Sequence, residues 1–329
     1  MTPLRDRVAK NAEGPGRRRK KIGIVTPCYN EQDAIAVCSA HVREVMEKKL
    51  AGYDYEHVFI DNCSNDRTVS ILKEIASRDR RVKIIVNSRN FGQSRSPFYG
   101  MLQTDGDAVV PITADLQTPP ELIPDLVAKW ESGYCMVIAV RKGMEEGIFL
   151  QLARRAFYRI MARLSKVEQI KNFMGFGLFD REVIEILRAL EEPEPYFRGL
   201  VSEIGFDKAF IEYDQPSRKH GRSRHSFLDL LELSMLALTT YSKAPLTLMT
   251  LTGLTISTLS LAAGLVYLVL KLIYWDTFPV GIIPLILATF FFAAVQLIAL
   301  GLIGEYVGLV LHYVRHFPLV IEKERVNFD

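Results

Sequence analysis

The sequence predicts an α/β fold: a mostly parallel sheet covered by helices on both faces, followed by an interfacial helix and two membrane-crossing helices. Three observations carry this. Between residue 22 and about residue 140, five short apolar runs alternate with segments of helical period. Each run ends in polar or charged residues. Two long stretches, 245–270 and 279–304, contain no charged residue. Strands that alternate with helices imply parallel neighbours joined by crossovers.

The elements follow in order. Residues 1–21 end in Arg17-Arg18-Arg19-Lys20-Lys21 with no apolar stretch before them, so they are not a signal peptide. They read as a basic tail, either solvated or touching an anionic membrane surface. "KIGIVTPCYN" is a buried strand ending at Pro27, and "DAIAVCSAHVREVMEKKL" has helical period. "YEHVFIDN" is a second strand, and "DRTVSILKEIASRD" a helix with a polar start. "RVKIIVNS" is a third strand, followed by the helix "SRSPFYGMLQT". "DAVVPITAD" is a fourth strand, which Pro119-Pro120 are expected to stop, because proline cannot continue a central strand. "PELIPDLVAKWES" is then a helix, and "YCMVIAVRKG" a fifth strand.

Composition narrows the function. The chain has 329 residues, 49% hydrophobic and 24% charged, with a formal net charge of +3. That charge is too small to indicate nucleic acid. Mean hydropathy is +0.10, an excess concentrated in residues 244–314. Cys28, Cys38, Cys63 and Cys135 form no C-x-x-C pair, so neither a zinc site nor a disulfide framework is indicated. No G-x-G-x-x-G or G-x-x-x-x-G-K-[ST] follows any strand, which argues against a dehydrogenase or a P-loop enzyme.

The strand ends carry the chemistry. Asn30-Glu31 follow the first strand, Asp61-Asn62 end the second, Asp115 and Gln117 follow the fourth, and Arg141-Lys142 end the fifth. In a parallel sheet these positions gather on the ligand-binding edge. Carboxylates beside amides and cations suit a metal-bound phosphate ligand.

Each uncharged stretch exceeds the roughly 20 residues needed to cross a bilayer core. The link between them holds Tyr274 and Trp275, which suit an interface. Residues 245–314 therefore read as a hairpin with both flanks on one side. Lys219, Arg222, Arg224 and Lys243 precede it, and Arg315, Lys323 and Arg325 follow it, which puts the soluble domain and both termini in the cytoplasm. Residues 225–244 read as an amphipathic helix in the interface plane or as a core helix of the soluble domain. Residues 315–329 read as a cytoplasmic C-terminal tail.

Seven segments come in a familiar order: "TPCYNEQD", "IDNCSNDRT", "NFGQSRSPFYGM", "ADLQTPPEL", "VRKG", "GFGLFDREVI" and "RKHGRSRHSF". Together they resemble the family 2 glycosyltransferases. More narrowly, they resemble the polyprenyl-phosphate glycosyltransferases, which join a Rossmann-like GT-A domain to two membrane helices. The likeness covers about 22–315 and implies a GT-A domain over 22–224. It implies that Pro27, Tyr29, Asn30, Glu31, Asn90, Gly92, Gln93 and Ala114 lie along the nucleotide, and that Asp61 meets the base. Asp115 would hold Mg²⁺ or Mn²⁺ on the donor diphosphate. Gln117 would lie beside the sugar or acceptor, and Arg141 would face phosphate. Arg218, His220, Arg222, Ser223 and Arg224 would receive the acceptor phosphate.

The chain departs from the family at three places. The aspartate-any-aspartate pattern reads Thr113-Ala114-Asp115, so one carboxylate remains. The usual Asp-Asp-Gly-Ser reads Asp61-Asn62-Cys63-Ser64. A Gly-Asp-Phe-Arg segment of many relatives reads "MGFGL" around Gly175 and Gly177.

The implied reaction is inverting transfer of a sugar from a nucleotide diphosphate, UDP first among them, to a polyprenyl phosphate. Undecaprenyl phosphate of a bacterial inner membrane is the acceptor the resemblance favours, in the service of cell-envelope glycan modification. The resemblance also implies a homo-oligomer, a tetramer in relatives. A processive polysaccharide synthase is the enzymatic rival, but its Q-x-x-R-W pattern is absent, since Trp occurs only at 130 and 275. A membrane-anchored nucleotide-sugar binder without turnover is the other rival.

Overall fold

The computed structural model describes residues 18–142, 170, 172–216, 244–274, 282–314 and 317–328. They fall into two units. The first holds a sheet of eight strands. In chain order its elements are β1 (Lys21–Cys28), α1 (Ile35–Lys49), β2 (Asp54–Asp61), α2 (Thr68–Arg78), β3 (Val82–Asn87), α3 (Gly92–Leu102), β4 (Ala108–Pro111), α4 (Ile123–Glu131), β5 (Met136–Arg141), β6 (Phe173–Asp180), α5 (Arg181–Ala189), α6 (Phe197–Glu203) and β7 (Lys208–Tyr213). The last strand, β8 (Glu322–Val326), comes from the end of the chain.

The strand order is β7-β5-β6-β4-β1-β2-β3-β8. β1 pairs in parallel with both β2 and β4, and β2 with β3. β6 is antiparallel to β4 and to β5, and β5 is parallel to β7. Hence β1 to β5 and β7 all point one way, and their carboxyl ends share one edge. The sheet is mostly parallel, as the alternation of strands and helices predicts. β6 and β7 lie beyond the five strands read from the sequence.

Alternation along the strands builds two faces. Ile22 and Ile24 of β1 pack with α1 and α4 residues such as Val42, Met46, Leu126 and Trp130. Val25, the next residue along, packs on the opposite face with Phe98 and Met101 of α3 and Val183 and Leu187 of α5. A third cluster joins Phe59 and Ile84 to Leu72 and Ala76 of α2. Helix α5 starts where Asp180 caps it: its carboxylate accepts from the Glu182 amide at 2.9 Å and from Trp130 Nε1 at 2.6 Å. An acid at that position satisfies an amide the helix would otherwise leave open. Gly175 takes φ +94° inside β6, and the β5–β6 register shifts between Ile138 and Val140.

Three expectations need correction. β4 is short and ends at Pro111, so Pro119 and Pro120 do not stop it. Pro120 instead opens a single 3₁₀ turn, Pro120–Leu122, that leads into α4, a position where its missing N–H costs nothing. Residues 315–329 are more than a tail, because β8 pairs antiparallel with β3 at the sheet edge. The basic tail also ends earlier than residue 21: Lys21 begins β1, and Lys20 Nζ lies 2.9 Å from Glu131 Oε1 and over the Trp130 ring.

The second unit holds two helices, α7 (Ala244–Ile273) and α8 (Ile282–Val314), of 30 and 33 residues. At 1.5 Å per residue each is about 45–50 Å long. Large apolar side chains face outward along both: Leu254, Leu265, Leu297 and Ile298 expose 66%, 64%, 69% and 72% of their surface. Thr255, Thr258 and Thr289 return their hydroxyls to carbonyls four residues back, at 2.8 Å each, which hides a polar group in an apolar setting. Among the described residues, one stretch, Phe291–Gly308, is long and apolar enough to cross a membrane. Of the segment expected to be interfacial, residues 225–243 lie outside the described residues, as does Trp275, and Ala244 begins α7.

Candidate active site

Strand order locates the crevice. The chain runs outward from β1 through β2 to β3, then returns so that β4 lies on the other side of β1. The order reverses between β1 and β4. In open α/β sheets ligands bind beyond the carboxyl ends at such a reversal. The loop after β1 carries Asn30 and Glu31, and the loop after β4 carries Asp115. These two loops flank the reversal. β2, with Asp61 at its end, is the next strand to one side. β5, with Arg141 at its end, lies two strands from β4 on the other. At about 4.8 Å per strand spacing, Asp61 and Arg141 sit on strands roughly 10 Å from the strand of Asp115.

Three of these loops hold a non-glycine residue in the left-handed region: Asn30 at φ 55°, Cys63 at φ 67° and Leu116 at φ 58°. Such backbone is costly unless its surroundings fix it, and it gathers at functional sites.

The surroundings are short hydroxyl and amide side chains. The Asn30 amide donates to Ser64 Oγ at 2.8 Å, and Asn30 Oδ1 accepts from the Asn65 amide at 2.8 Å. The Glu31 amide donates to Thr68 Oγ1 at 2.9 Å. Asp66 accepts from the Thr68 amide and hydroxyl. The loops after β1 and β2 are thereby stitched into one platform. Asp61, fully buried, sits beneath it and accepts from the Ser64 amide at 2.9 Å and the Ser64 hydroxyl at 2.5 Å. Burial raises its pKa, and the Ser64 bonds oppose that rise. Asp61, expected to meet the base, thus holds Ser64 with two of the roughly four acceptor sites of its carboxylate.

The loop after β4 is closed differently. The Thr113 amide donates to Thr118 Oγ1 at 2.7 Å, the two hydroxyls meet at 3.1 Å, and the Thr118 amide returns to Thr113 Oγ1 at 3.3 Å. Asp115, at the tip, accepts from the Gln117 amide at 3.2 Å and remains partly exposed. Ala114 is buried beneath.

Two thiols register how the acids converge. Burial pushes Cys38 up to about 12, and the charges of Asp115 and Glu31 add to it. Burial likewise raises Cys28, with Asp61, Cys38 and Glu31 adding. Glu31 therefore acts on both thiols, while Asp61 acts on one and Asp115 on the other. Of the three acids, Asp61 meets a thiol directly, its Oδ1 3.8 Å from Cys28 Sγ.

Arg141 closes β5 opposite Tyr213 of β7. Its Nε is buried and has no hydrogen-bond partner among the described residues. Burial raises the Tyr213 phenol, and Arg141 lowers it in part. A buried guanidinium N–H without an acceptor at this edge suits an anionic ligand.

Pro27 and Tyr29 flank the end of β1, and Asn90, Gly92 and Gln93 lie exposed after β3. Arg218, His220, Arg222, Ser223 and Arg224 lie outside the described residues. Among the described residues, no three His, Cys, Asp or Glu side chains gather to hold a metal by themselves. Sequence reasoning placed Asn62 at a strand end without a role, and missed Ser64, Thr68 and Thr118. The clustered Asn, Asp, Ser and Thr of "DNCSNDRT" were the available signal for Asn62, Ser64 and Thr68.

The family model for "Glycosyl transferase family 2" matches residues 23–187. "Uncharacterized glycosyltransferase YkcC" of Bacillus subtilis (strain 168) is 36% identical over 313 residues, 95% of this chain and 96% of that one. "Bactoprenol glucosyl transferase" of Shigella phage SfV is 34% identical over 305 residues, 92% of this chain and 98% of that one. The crystal structure of mannosyl-3-phosphoglycerate synthase from Rubrobacter xylanophilus overlays with a TM-score of 0.47 at 17% identity, covering 76% of this chain and 78% of that chain.

Proposed function

The chain belongs to glycosyl transferase family 2, and on that premise we propose that it moves a sugar from a nucleotide diphosphate to a polyprenyl phosphate at a membrane surface, with inversion. The observation that carries this reading is the position of Asp115: a partly exposed acid on a closed loop beside the β1/β4 reversal, with Glu31 across from it. The bactoprenol glucosyl transferase relative, matched over 98% of its length, supports the acceptor. UDP-sugars are the first donors to test, and undecaprenyl phosphate the first acceptor.

A divalent cation fits these residues as a shared ligand. One carboxylate suffices for Mg²⁺ or Mn²⁺ when substrate phosphates supply further oxygens. Asp115 would hold it, and when bound it would offset charge on the departing diphosphate. The chain's own groups do the rest. Arg141 offers an unpartnered N–H to phosphate. The loops after β1 and β2 provide a rigid floor for the nucleotide. A phosphate acceptor is already substantially anionic at neutral pH, with a second pKa of about 6, so no side chain need serve as general base. Gln117 lies two residues from Asp115, on the side of the sugar or acceptor.

The membrane arrangement belongs to the same proposal. α7 and α8 would span as a hairpin, leaving the sheet unit and both termini in the cytoplasm. The basic segment 218–224 would meet the lipid phosphate. A homo-oligomer completes the reading.

The test uses purified full-length protein with undecaprenyl phosphate, Mg²⁺ and labelled UDP-, GDP- and dTDP-sugars, counting label extracted into organic solvent. Metal-dependent label from one donor is the expected result. Nucleotide binding without label from any donor would favour a binder that has lost turnover.

A further inference from the structure

The loop that joins β3 to α3, residues 88–91, is held by an amide that none of the proposed ligand contacts uses. Asn62 is 8% exposed. Its Nδ2 donates to Asn90 Oδ1 at 2.8 Å and to the Gly92 carbonyl at 3.1 Å. Its Oδ1 accepts from Asn87 Nδ2 at 3.0 Å and from the Phe91 amide at 2.9 Å. A carboxamide has two N–H donors and a carbonyl with two lone pairs, so all four positions are filled. The orientation is fixed by chemistry: the Phe91 amide can only donate and the Gly92 carbonyl can only accept, which forbids the flipped amide. Asn90 Oδ1 also accepts from the Gly92 amide at 2.8 Å, and Gly92 takes φ +86°. At the loop's other end the Ser88 amide donates to the Ile321 carbonyl at 2.9 Å.

From this we infer that Asn62 is a positioning residue for donor binding, holding residues 90–92 in the shape that receives the nucleotide before the nucleotide arrives. The inference rests on the proposed function, in which Asn90, Gly92 and Gln93 lie along the donor. It also explains a departure from the family. An aspartate here, as in Asp-Asp-Gly-Ser, would keep the bonds from Asn87 and Phe91. It would set lone pairs against Asn90 Oδ1 and the Gly92 carbonyl, because a carboxylate only accepts. A protonated carboxyl could restore one donor. The ionisable groups of the surrounding elements are Asp61 at the end of β2, Cys63 and Asp66 on its own loop, Lys83 on β3, Arg89 in the clamped loop, Arg95 and Tyr99 on α3, and Glu322, Lys323, Glu324 and Arg325 on β8, with Glu322 opposite Asn87.

The experiment measures binding of UDP, GDP and dTDP, each with Mg²⁺, to full-length wild type and Asn62→Asp in detergent. The nucleotide that wild type binds tightest is then followed at pH 8 and pH 5.5. Asn62→Asp should lose at least tenfold in affinity at pH 8 and recover most of it at pH 5.5. That tenfold corresponds to about 1.4 kcal/mol of lost binding; kcat at saturating donor should stay within about threefold of wild type, because Asn62 touches none of the reacting groups. Equal affinity at pH 8, or a fall in kcat with donor KM unchanged, would overturn the inference. Wild type that binds none of the three fails the proposed function instead. Hydrogen exchange on wild type decides the matter if the variant does not fold. The Phe91 and Gly92 amides should be protected without nucleotide, and protection that arises only after nucleotide is added would overturn preorganisation.

Discussion

Thr113 and Thr118 hold each other across the loop that presents Asp115: amide to hydroxyl at 2.7 Å, hydroxyl to hydroxyl at 3.1 Å, and amide back to hydroxyl at 3.3 Å. The position where the family carries a first aspartate is therefore occupied by a hydroxyl that shapes the loop. A carboxylate at 113 could accept from the Thr118 amide, but it could not donate in return.

That pairing makes Thr113→Ser and Thr113→Ala informative together. Serine keeps every bond. Alanine removes two of the three, worth about 1 kcal/mol each. Thr113→Ser should retain activity within about twofold, and Thr113→Ala should lower kcat/KM roughly tenfold. Steady-state kinetics on both variants checks this. An alanine variant equal to wild type would mean the loop does not depend on the closure.

Asp115→Asn should reduce metal-dependent turnover by about 10²–10³, in the range seen when a single transition-state contact is lost. The side chain is partly exposed, so thermal stability should hardly change. Turnover and melting temperature measured on the same sample separate the two effects. Full activity in Asp115→Asn would remove this residue from the site.

Arg141→Lys keeps the charge and deletes the unpartnered Nε–H. Nucleoside diphosphate affinity should fall about tenfold, because ammonium cannot reproduce the guanidinium fork. Isothermal titration with the bound nucleotide reads this directly. Undiminished affinity would show that the Nε–H serves no ligand.

The C-terminal strand carries a stability prediction. Asn327 Nδ2 donates to the Ala76 and Val82 carbonyls at 2.9 and 2.8 Å, and Asn327 sits at φ 61°. Asn327→Ala loses both bonds and strains the backbone, at a cost of about 2–3 kcal/mol. Deleting residues 319–329 should do more, since it bares the edge of β3 and invites aggregation. Thermal unfolding and light scattering of the full chain test both changes. A free tail would leave both measurements unmoved.

His57 supplies a pH dependence. It is buried, with Nε2 2.8 Å from Thr26 Oγ1 and its ring 3.9 Å from Phe59. Burial pushes its pKa down from 6.5 to about 3. The unfolded chain takes up this proton near pH 6.5, the folded chain only near pH 3. Between those values the unfolded state binds more protons, so stability falls as pH falls. Thermal unfolding at pH 7, 6 and 5 should show that decline. His57→Gln should start less stable at pH 7 and decline less steeply. Parallel slopes would rule out His57 as the cause.

Much of this was legible in advance because it depends on local pattern. "KIGIVTPC" and "YEHVFID" could only be buried strands, and their polar ends had to share an edge once the sheet was parallel. The acids of the crevice were readable for the same reason. What escaped was held by contacts distant in sequence. Nothing near Glu322 announces that it will pair with Asn87. Nothing in "DNCSNDRT" says that Asn62 faces the loop after β3 while Asp61 turns down to Ser64.

The sequence by itself determined the class of fold, the family, the apolar character of 245–314 and which strand ends carry acids, because period and composition decide which faces can leave water. Only the tertiary structure decided the strand order, the insertion of β6 between β4 and β5, the return of the C-terminus as β8, and the closure of the Asp115 loop by Thr118. These depend on which surfaces and hydrogen-bonding groups meet across long separations, and the free energy of such a meeting is set by both partners together.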